Sequence, residues 1–351
     1  KNDFSLTGDS SERKATMPEK NVWRWAVAGP GRIARRFARA LCASERAEIT
    51  EVYSGSIERA KTFAEEFSVP DAYGSYDAIK ESRADIFYLA NLNTQHYESA
   101  KLILQAGKHL LCEKPICLNK AQAEELFEMA RARNLFLMEG MWTSMQPVSL
   151  KVHEWIRDGG IGEVSQVDLS FGFSSPQDAS DRIYVKKLGG SALLDLGVYG
   201  IAYTLNILGR TPRAIKSAAA QSEEGVDTTL SYILDFGEGR QARGVFSSDH
   251  KLSGIALISG EKGFIRVPGF HAPHKAFLYQ YKENDETELK EEFTEENRVN
   301  GFEHEIAEVT RCLDEGLTES PRHPAAMSLA VMGVMDEIRD QIGLHYEGES
   351  V

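Results

Sequence analysis

The chain has 351 residues, which corresponds to two domains at roughly 150 residues each. Apolar residues make up 42% and charged residues 26%, a composition that excludes a disordered, collagenous or membrane-spanning protein. The 53 acidic residues exceed the 40 lysines and arginines, so the net charge is −13. This excess argues against nucleic acid or an anionic membrane as a partner, because both require a dense positive field. One local pocket could still bind a small anion.

The four cysteines are too few for a disulfide framework and favour a reducing, cytoplasmic compartment. No further cysteine or histidine pair lies at metal-ligand spacing from Cys112 and Cys117, so no metal site is predicted. Residues 1–21 are polar and lack the apolar core of a signal peptide, and we expect a disordered arm or an expression remnant there.

Strands and helices alternate from Val22 to about residue 145. The apolar run Val22–Ala28 predicts a strand, and apolar residues at helical spacing from Ile33 to Leu41 predict the helix that follows. This alternation indicates an α/β domain over residues 22–145 with a doubly wound parallel sheet. Further strands are predicted at Ile49–Tyr53, Asp85–Ala90, Lys108–Cys112 and Phe136–Met138, and helices at Glu58–Phe67, Tyr76–Glu81, His96–Ala106 and Lys120–Arg133.

Residues 146–351 have a different pattern, in which strands follow one another through short turns. This pattern predicts an α+β domain with a large, mostly antiparallel open sheet. An irregular stretch is expected between the first of these strands and Gly190. The predicted helices are Val148–Arg157, Ala192–Leu208, Phe302–Asp314 and Ala325–Ile342, and the predicted strands are Val164–Phe173, Ile215–Gln221, Thr228–Asp235, Arg240–Ser247, Gly254–Ser259 and Phe264–Val267.

The turn after the first strand fits the dinucleotide-binding pattern G-x-G-x-x-A. Gly29 permits the tight turn, Gly31 lets the backbone approach a pyrophosphate, and Ala34 lets the helix pack close to the strand. The pyrophosphate would lie at the positive end of the helix, beside Arg32 and Ile33. The alternative is a glycine turn that binds nothing.

The end of the second predicted strand indicates which cofactor binds. An NAD enzyme usually has Asp or Glu there to accept hydrogen bonds from the ribose 2′-hydroxyl. This chain has Ser54 and Ser56 instead, with Arg59 nearby, and such groups suit a 2′-phosphate. NADP is therefore the favoured cofactor, and NAD remains possible.

Two further segments contain candidate catalytic residues. Lys114 follows Glu113 at the carboxyl end of a strand, where doubly wound sheets bind ligands, and Pro115 restricts its backbone. Asp195 and Tyr199 are four residues apart and would share one face of a helix. The structural alternatives are an exposed lysine before a turn, an acid favoured by the helix dipole and a buried tyrosine.

The chain from Trp25 to Gly343 resembles the Gfo/Idh/MocA oxidoreductases, and within them the branch of trans-1,2-dihydrobenzene-1,2-diol dehydrogenase and NADP-dependent D-xylose dehydrogenase. The resemblance implies a Rossmann cofactor domain followed by a domain for substrate binding and oligomerisation. The segments that match, in order, are GPGRIA at Gly29–Ala34, SGSIERAKTFAEEF at Ser54–Phe67, AYGSYDAI at Ala72–Ile79, NLNTQH at Asn91–His96, AGKHLLCEKP at Ala106–Pro115, LFLMEGMWT at Leu135–Thr143 and GGSALLDLGVYGI at Gly189–Ile201.

The resemblance also implies residue roles. Lys114 corresponds to the lysine of the family's E-K-P motif, and Asp195 and Tyr199 correspond to paired residues on the substrate-domain helix. The implied partners are a small sugar, polyol or diol substrate and a second copy of the chain, in a homodimer or larger homo-oligomer. The remaining residues expected at the cofactor are Asn91, Asn93, His96, Glu113 and Trp142.

These expectations predict reversible hydride transfer between NADP and a secondary alcohol. Tyr199 would act as the acid/base, Lys114 would favour its phenolate, and Asp195 would orient the substrate. Lys114 acting directly as the base is the main alternative. Two other functions remain open: a non-catalytic NADP-binding regulator, and an oxidoreductase that keeps its cofactor bound between turnovers.

Overall fold

The computed structural model describes residues 21–174, 182–284, 286–296, 298–347 and 349. The predicted N-terminal arm lies outside the described residues except for Asn21. Part of the irregular stretch expected before Gly190, residues 175–181, also lies outside them.

The first domain is built around a parallel sheet. Its strands are β1 (Trp23–Ala28), β2 (Ala47–Tyr53), β3 (Asp71–Tyr73), β4 (Ile86–Leu89), β5 (His109–Glu113) and β6 (Leu137–Gly140). The six strands are all parallel, in the order β3-β2-β1-β4-β5-β6. The strand order reverses between β1 and β4, which is where doubly wound sheets bind their ligands. The predicted Rossmann architecture is confirmed.

The helices of this domain bury one face against the sheet. They are α1 (Arg32–Cys42), α2 (Ile57–Phe67), α3 (His96–Gln105) and α4 (Lys120–Ala132), with a 3-10 helix at Tyr76–Glu81. In α1, Phe37 and Leu41 are fully buried while Arg32 and Arg39 are exposed. The helical spacing of apolar residues therefore located these elements to within a few residues.

The second domain contains the larger sheet. Its strands are β7 (Val164–Gly172), β8 (Ala214–Gln221), β9 (Asp227–Gly237), β10 (Arg240–Ser247), β11 (Ile255–Gly260), β12 (Gly263–Pro268), β13 (Lys275–Tyr281) and β14 (Thr287–Thr294). The eight strands have the order β14-β13-β12-β11-β7-β10-β9-β8. Only β7 and β10 pair in parallel, so the expected mostly antiparallel sheet is confirmed.

Strands β3, β13 and β14 were not predicted from the sequence. Strand β14 lies at the edge of the sheet, and every one of its residues except Phe293 is exposed. An exposed edge strand has no buried face, so its sequence lacks the alternation of apolar and polar residues that identifies a strand.

The predicted helix at Ala192–Leu208 has two parts in the structure. Leu193–Gly197 is a π-helical turn, and α6 (Val198–Leu208) is α-helical. The segment 186–208 is long and apolar enough to cross a membrane by length and composition alone, but 78% of its most apolar window is buried inside the protein. The segment is therefore accounted for as a core element of the fold.

The helices α5 (Pro147–Arg157), α7 (Phe302–Asp314) and α8 (Ala325–Ile342) complete the fold. The ring of Phe302 lies 5.6 Å from that of Phe37, so α7 packs on α1. In α8, Asp336 accepts a hydrogen bond from the Lys120 amide at 2.9 Å. The last two helices thus pack against the first domain, and α7 reaches the carboxyl ends of its strands.

Candidate active site

The two glycines of the turn between β1 and α1 have different surroundings. Gly29 has φ +93°, and a Cβ atom there would lie 2.5 Å from the Asn91 amide nitrogen. Gly31 is extended and precedes α1, and a Cβ atom there would meet nothing within 4 Å. The first turn of α1 has no acidic residue and no side-chain cap. Free amide groups, an open approach and the positive end of a helix dipole fit the pyrophosphate of a dinucleotide.

This contrast gives a paired prediction for alanine substitutions. Gly29→Ala should lower the free energy of unfolding by about 1–3 kcal/mol. Alanine is strained at positive φ, and its methyl group would clash with the main chain of Ala90 and Asn91 just after β4. Gly31→Ala should leave stability nearly unchanged and weaken dinucleotide binding, because its methyl group would occupy space that the pyrophosphate needs. Urea unfolding and cofactor titration of both variants measure the two effects. Equal losses of stability would contradict the assignment.

The serines at the end of β2 are engaged by the chain itself. Ser54 is buried, and its Oγ accepts a hydrogen bond from the Ser56 amide at 3.3 Å. Ser56 caps α2 by accepting from the Arg59 amide at 3.4 Å, and its hydroxyl donates to Glu58 at 2.7 Å. The strand end therefore presents a rigid turn, with Gly55 fully exposed between the two serines.

Two arginines near this turn have no acidic partner among the described residues. Arg59 and Arg32 are exposed, and neither forms an ion pair with any residue that the structure describes. The Arg59 guanidinium lies 3.9 Å from the Cβ position of Gly55. By contrast, Arg35 and Arg39 of the same region pair with Glu66 at 2.7 and 3.4 Å. Unpaired guanidinium groups beside a strand end are suited to bind a phosphate.

The three predicted catalytic residues lie together at the carboxyl end of β5. Lys114 Nζ donates a hydrogen bond to the Asp195 main-chain oxygen at 2.8 Å and lies 3.9 Å from Asp195 Oδ1. The same ammonium group is 4.7 Å from the centre of the Tyr199 ring. Burial lowers the pKa of Lys114, opposed by the charges of Asp195 and Glu113. A lysine whose pKa is lowered can exchange a proton more readily near neutral pH.

The pKa of Tyr199 depends on burial and on nearby charges. We expected Lys114 to favour the phenolate, and its ammonium group lies over the ring face. Burial raises the pKa of Tyr199 well above its usual value, and the charges of Glu113 and Asp195 add to the increase. Burial therefore favours the protonated hydroxyl group, and the expected stabilisation of the phenolate by Lys114 stays a prediction.

Arg182 is a site residue that sequence reasoning missed. Its Nη2 donates to both carboxylate oxygens of Asp195, at 3.0 and 2.8 Å. This pairing fixes the Asp195 side chain while its main-chain oxygen holds Lys114. Arg182 lies in a short 3-10 helix within a segment that has no periodic pattern, so no local signal singled it out.

The predicted cofactor residues Asn91, Asn93 and His96 connect the loops around the site. His96 Nδ1 lies 2.8 Å from the Pro115 main-chain oxygen, and burial lowers the pKa of His96 to about 4. A neutral imidazole that donates from Nδ1 has an acceptor at Nε2, which is buried without a partner among the described residues. Asn93 donates to the Gly189 oxygen at 3.3 Å, and Asn91 donates to Ser99 at 2.8 Å.

Trp142 lies behind the site in an aromatic cluster. Its ring is 4.7 Å from that of Phe302, and the Arg36 guanidinium lies 5.4 Å from its ring centre. The Trp142 side chain also interacts with Tyr199 and opposes part of the increase in the tyrosine pKa.

His271 is a second residue that the sequence analysis missed. Its ring stacks on Phe171 at 3.9 Å and lies 6.0 Å from the Tyr199 ring. Thr143 donates to its main-chain oxygen at 2.6 Å, and burial lowers its pKa to about 4. The three rings form a wall beside Lys114. Phe171 is on β7, and His271 lies in a turn after β12 that carries no sequence motif.

One cluster among the described residues brings possible metal ligands together: Glu295, Glu303 and His304. These groups already have partners in the chain. Glu295 pairs with Arg298 at 3.4 Å, and Glu303 accepts hydrogen bonds from three backbone amides at the start of α7. The cluster is therefore accounted for by helix capping and ion pairing.

Comparisons with known proteins identify the family of this chain. A family model described as "Oxidoreductase family, NAD-binding Rossmann fold" matches residues 23–141, and one described as "GFO/IDH/MocA C-terminal domain" matches residues 149–266. The chain belongs to the Gfo/Idh/MocA family. It is an NAD(P)-binding oxidoreductase, as its fold and resemblance predicted.

The relatives include dehydrogenases and reductases. Trans-1,2-dihydrobenzene-1,2-diol dehydrogenase of Xenopus laevis is 34% identical over 331 residues, 92% of this chain and 99% of the relative. The Homo sapiens protein of that name is 30% identical over 92% and 98% of the two chains. Among solved structures, the 3-ketoreductase KijD10 of Actinomadura kijaniata, in complex with NADP and TDP-benzene, has 27% identity and a TM-score of 0.81 over 92% and 98% of the chains. Aldose-aldose oxidoreductase of Caulobacter crescentus has the same fold, with a TM-score of 0.82 at 22% identity over 92% and 98%.

Proposed function

We propose that this Gfo/Idh/MocA enzyme is NADP-dependent and transfers hydride between the nicotinamide and a secondary alcohol of a sugar, polyol or cyclic diol. One observation carries the proposal. Lys114 is partly buried just after β5, its pKa is lowered, and it is held between Asp195 and Tyr199. A lysine that releases its proton more readily than usual thus lies where this fold binds its ligands.

Bound NADP would supply the hydride acceptor in oxidation and the donor in reduction. In oxidation, the neutral amine of Lys114 takes the proton from the substrate hydroxyl. The protonated Tyr199 hydroxyl donates a hydrogen bond to the same substrate oxygen and so positions it. Asp195, whose side chain is fixed by Arg182, anchors Lys114 through its main-chain oxygen and accepts from a second substrate hydroxyl. This assignment follows the alternative in which Lys114 is the base.

The preference for NADP is supported by charge at the end of β2. Arg59 and Arg32 have no carboxylate partner among the described residues, and no acid ends the strand. Glu58, the nearest acid along the chain, already accepts a hydrogen bond from Ser56. The NADP bound to KijD10, which is 27% identical, is consistent with the same preference. A 2′-phosphate would replace the missing anionic partners of the two arginines.

Arg59→Ala tests the cofactor preference. Losing one hydrogen bond to a charged phosphate costs about 1.5–3 kcal/mol, so the NADP dissociation constant should rise roughly 10- to 150-fold. The constant for NAD, which lacks the phosphate, should change little. Arg39→Ala is the matched control because Arg39 is an exposed arginine already paired with Glu66. Equal losses for NADP and NAD in calorimetric titrations would contradict the assignment.

The substrate class is supported by the relatives and by the polar groups of the site. Lys114, Asp195 and Tyr199 offer donors and acceptors to adjacent hydroxyl groups, and the Phe171 and His271 rings offer an apolar wall. This combination suits a cyclic compound that carries neighbouring hydroxyl groups on one side.

An activity screen with NADP and NAD in parallel, over aldoses, polyols and cyclic diols, tests the function. We expect turnover with NADP and at least one of these alcohols. Saturable NADP binding without turnover of any of these alcohols would favour a non-catalytic NADP-binding regulator. Cofactor that survives gel filtration and supports a reaction between two substrates would favour the enzyme with permanently bound cofactor.

We also propose that a second copy of the chain covers the open face of the eight-stranded sheet. Ile233 and Val245 project from that face with 45% and 39% of their surface exposed, and an exposed apolar sheet face needs a cover. Ile233→Asp should therefore shift the protein from dimer or larger oligomer to monomer in analytical ultracentrifugation. Leu317→Asp, at an exposed site after α7, is the control. If the mass of Ile233→Asp in solution were unchanged, this sheet face would not be the interface between copies of the chain.

A further inference from the structure

Glu139 on β6 is a buried carboxyl group that the proposed reaction does not use. The residue is 0% exposed and pairs in register with Cys112 of the neighbouring strand β5. Its Oε1 accepts a hydrogen bond from the Ile116 amide at 3.0 Å. Ile116 is two residues after Lys114, so the Glu139 side chain binds the turn that carries the proposed base.

The peptide group between Pro115 and Ile116 is held on both sides. Its oxygen lies 2.8 Å from His96 Nδ1, and its N–H group donates to Glu139. The two side chains are buried and come from different elements, α3 and β6. The pyrrolidine ring of Pro115 also fixes its own φ angle. The main chain directly after Lys114 therefore has little freedom to move.

His323 orients the Glu139 carboxylate from the segment between α7 and α8. Its Nε2 lies 3.2 Å from Glu139 Oε2, and both side chains are 0% exposed. The Ser328 hydroxyl group of α8 lies 3.1 Å from the same nitrogen. Burial opposes ionisation of Glu139, but the hydrogen bonds from its neighbours outweigh burial and leave the pKa of the carboxyl group below its usual value. Hydrogen bonds to an ionised carboxylate are short and directional, so they fix its position.

We propose that Glu139 is a positioning residue that, oriented by His323, holds the turn after Lys114 so that the lysine stays between Asp195 and Tyr199. The role in catalysis rests on the proposed function of Lys114. The hydrogen bond to the Ile116 amide does not depend on that function. A base displaced by about 1 Å from its reacting geometry can lose about 10²-fold in rate, so the position of this turn matters for turnover.

Two conservative substitutions separate the reach of the Glu139 side chain from its charge. Glu139→Gln keeps the length and an oxygen that accepts from the Ile116 amide. Its amide group can donate to His323, because an imidazole nitrogen accepts as well as donates. Glu139→Asp keeps the charge but is shorter by one carbon–carbon bond of about 1.5 Å. The shorter carboxylate cannot reach both Ile116 and His323.

The two variants should therefore differ in turnover but not in cofactor binding. Glu139→Asp should lower kcat by about 10²-fold, whereas Glu139→Gln should keep kcat close to that of the wild type. Both should bind NADPH with an unchanged dissociation constant, because Glu139 is remote from the β1 turn and from the arginines near β2. Steady-state kinetics and a fluorescence titration with NADPH measure the two quantities.

Hydrogen–deuterium exchange of the enzyme without substrate, followed by mass spectrometry, tests the hydrogen bond itself. In Glu139→Asp, the Ile116 amide should exchange about 10- to 150-fold faster, the change expected for the loss of one hydrogen bond to a charged group. In Glu139→Gln, exchange at Ile116 should match that of the wild type.

Glu51→Asp is the matched control. Glu51 is also buried, with 1% of its surface exposed, and it also accepts a hydrogen bond from a backbone amide, that of Arg83 at 2.8 Å. Arg83 precedes β4 at the amino edge of the parallel sheet, opposite the edge that carries Lys114. Glu51→Asp should speed exchange at Arg83 and leave both kcat and exchange at Ile116 unchanged.

Three results would overturn the proposal. Unchanged exchange at Ile116 in Glu139→Asp would mean that Glu139 does not hold the turn. Faster exchange with unchanged kcat in that variant would mean that the turn does not position Lys114. A loss of kcat in Glu139→Gln as large as in Glu139→Asp would mean that Glu139 acts through its charge. Failure of the proposed function looks different: the wild type then oxidises no alcohol, while exchange at Ile116 still reports the hydrogen bond.

Discussion

Replacing Lys114 by methionine is expected to lower kcat by about 10²- to 10⁴-fold, the usual contribution of a general acid or base. Methionine fills a similar volume but has no proton to exchange and no hydrogen bond to the Asp195 main-chain oxygen. NADP should still bind, because its pyrophosphate and 2′-phosphate would be held by the β1 turn and by the arginines near β2. Steady-state kinetics and a fluorescence titration with NADPH separate the two effects.

Two further variants show whether the loss belongs to Lys114 itself. Lys101→Met removes a partly exposed lysine of α3 that pairs with Glu125 of α4 at 2.9 Å. It should lower the stability by less than about 1 kcal/mol and leave kcat unchanged. Tyr199→Phe should lower kcat less than Lys114→Met does, roughly 10- to 150-fold, because it removes one positioning hydrogen bond. If Tyr199→Phe were inactive while Lys114→Met kept its turnover, the tyrosine would be the acid/base.

Asp227→Asn is expected to change how stability depends on pH. Asp227 on β9 is fully buried, and its Oδ2 accepts a hydrogen bond from the Leu193 amide at 2.7 Å, at the start of the π-helical turn that carries Asp195. Burial raises the pKa of Asp227 from 3.8 to about 7, and the negative charge of Asp195 adds to the increase. Between these two pKa values the folded protein holds a proton that the unfolded chain has released.

The bound proton stabilises the folded protein, and its contribution to the free energy of unfolding falls as the pH rises from about 4 to about 7. Asparagine keeps the hydrogen bond to Leu193 and does not titrate. The stability of Asp227→Asn relative to the wild type should therefore rise across that range by up to about 4 kcal/mol and stay constant above it. Urea unfolding between about pH 4 and pH 8 measures the difference.

The quantity to compare is the free energy of unfolding of the variant minus that of the wild type, because other groups also titrate in this pH range. His96 and His271, with pKa values lowered from 6.5 to about 4, make the stability of both proteins rise over part of the same range. A pH-independent difference for Asp227→Asn would mean that Asp227 is ionised throughout.

The architecture of the first domain could be predicted from the sequence because its signals are local. The turn at Gly29 and Gly31, the spacing of apolar residues in α1 and the apolar run of β4 each depend on a few consecutive residues. The seven matching segments predicted the family, and most of the antiparallel strands of the second domain were predicted, although β13 was missed despite its buried Ala276 and Leu278. The exposed strand β14 was missed because it buries almost nothing.

The sequence by itself determined the family, the two-domain architecture and the choice of Lys114, Asp195 and Tyr199 as the candidate site. Only the tertiary structure decided which partners these residues have: Arg182 on Asp195, and His271 beside Tyr199. It also showed that burial raises the pKa of Tyr199. The physical reason is the same in each case: burial and charge proximity depend on residues that folding brings together, and their separation along the chain leaves no local pattern to identify them.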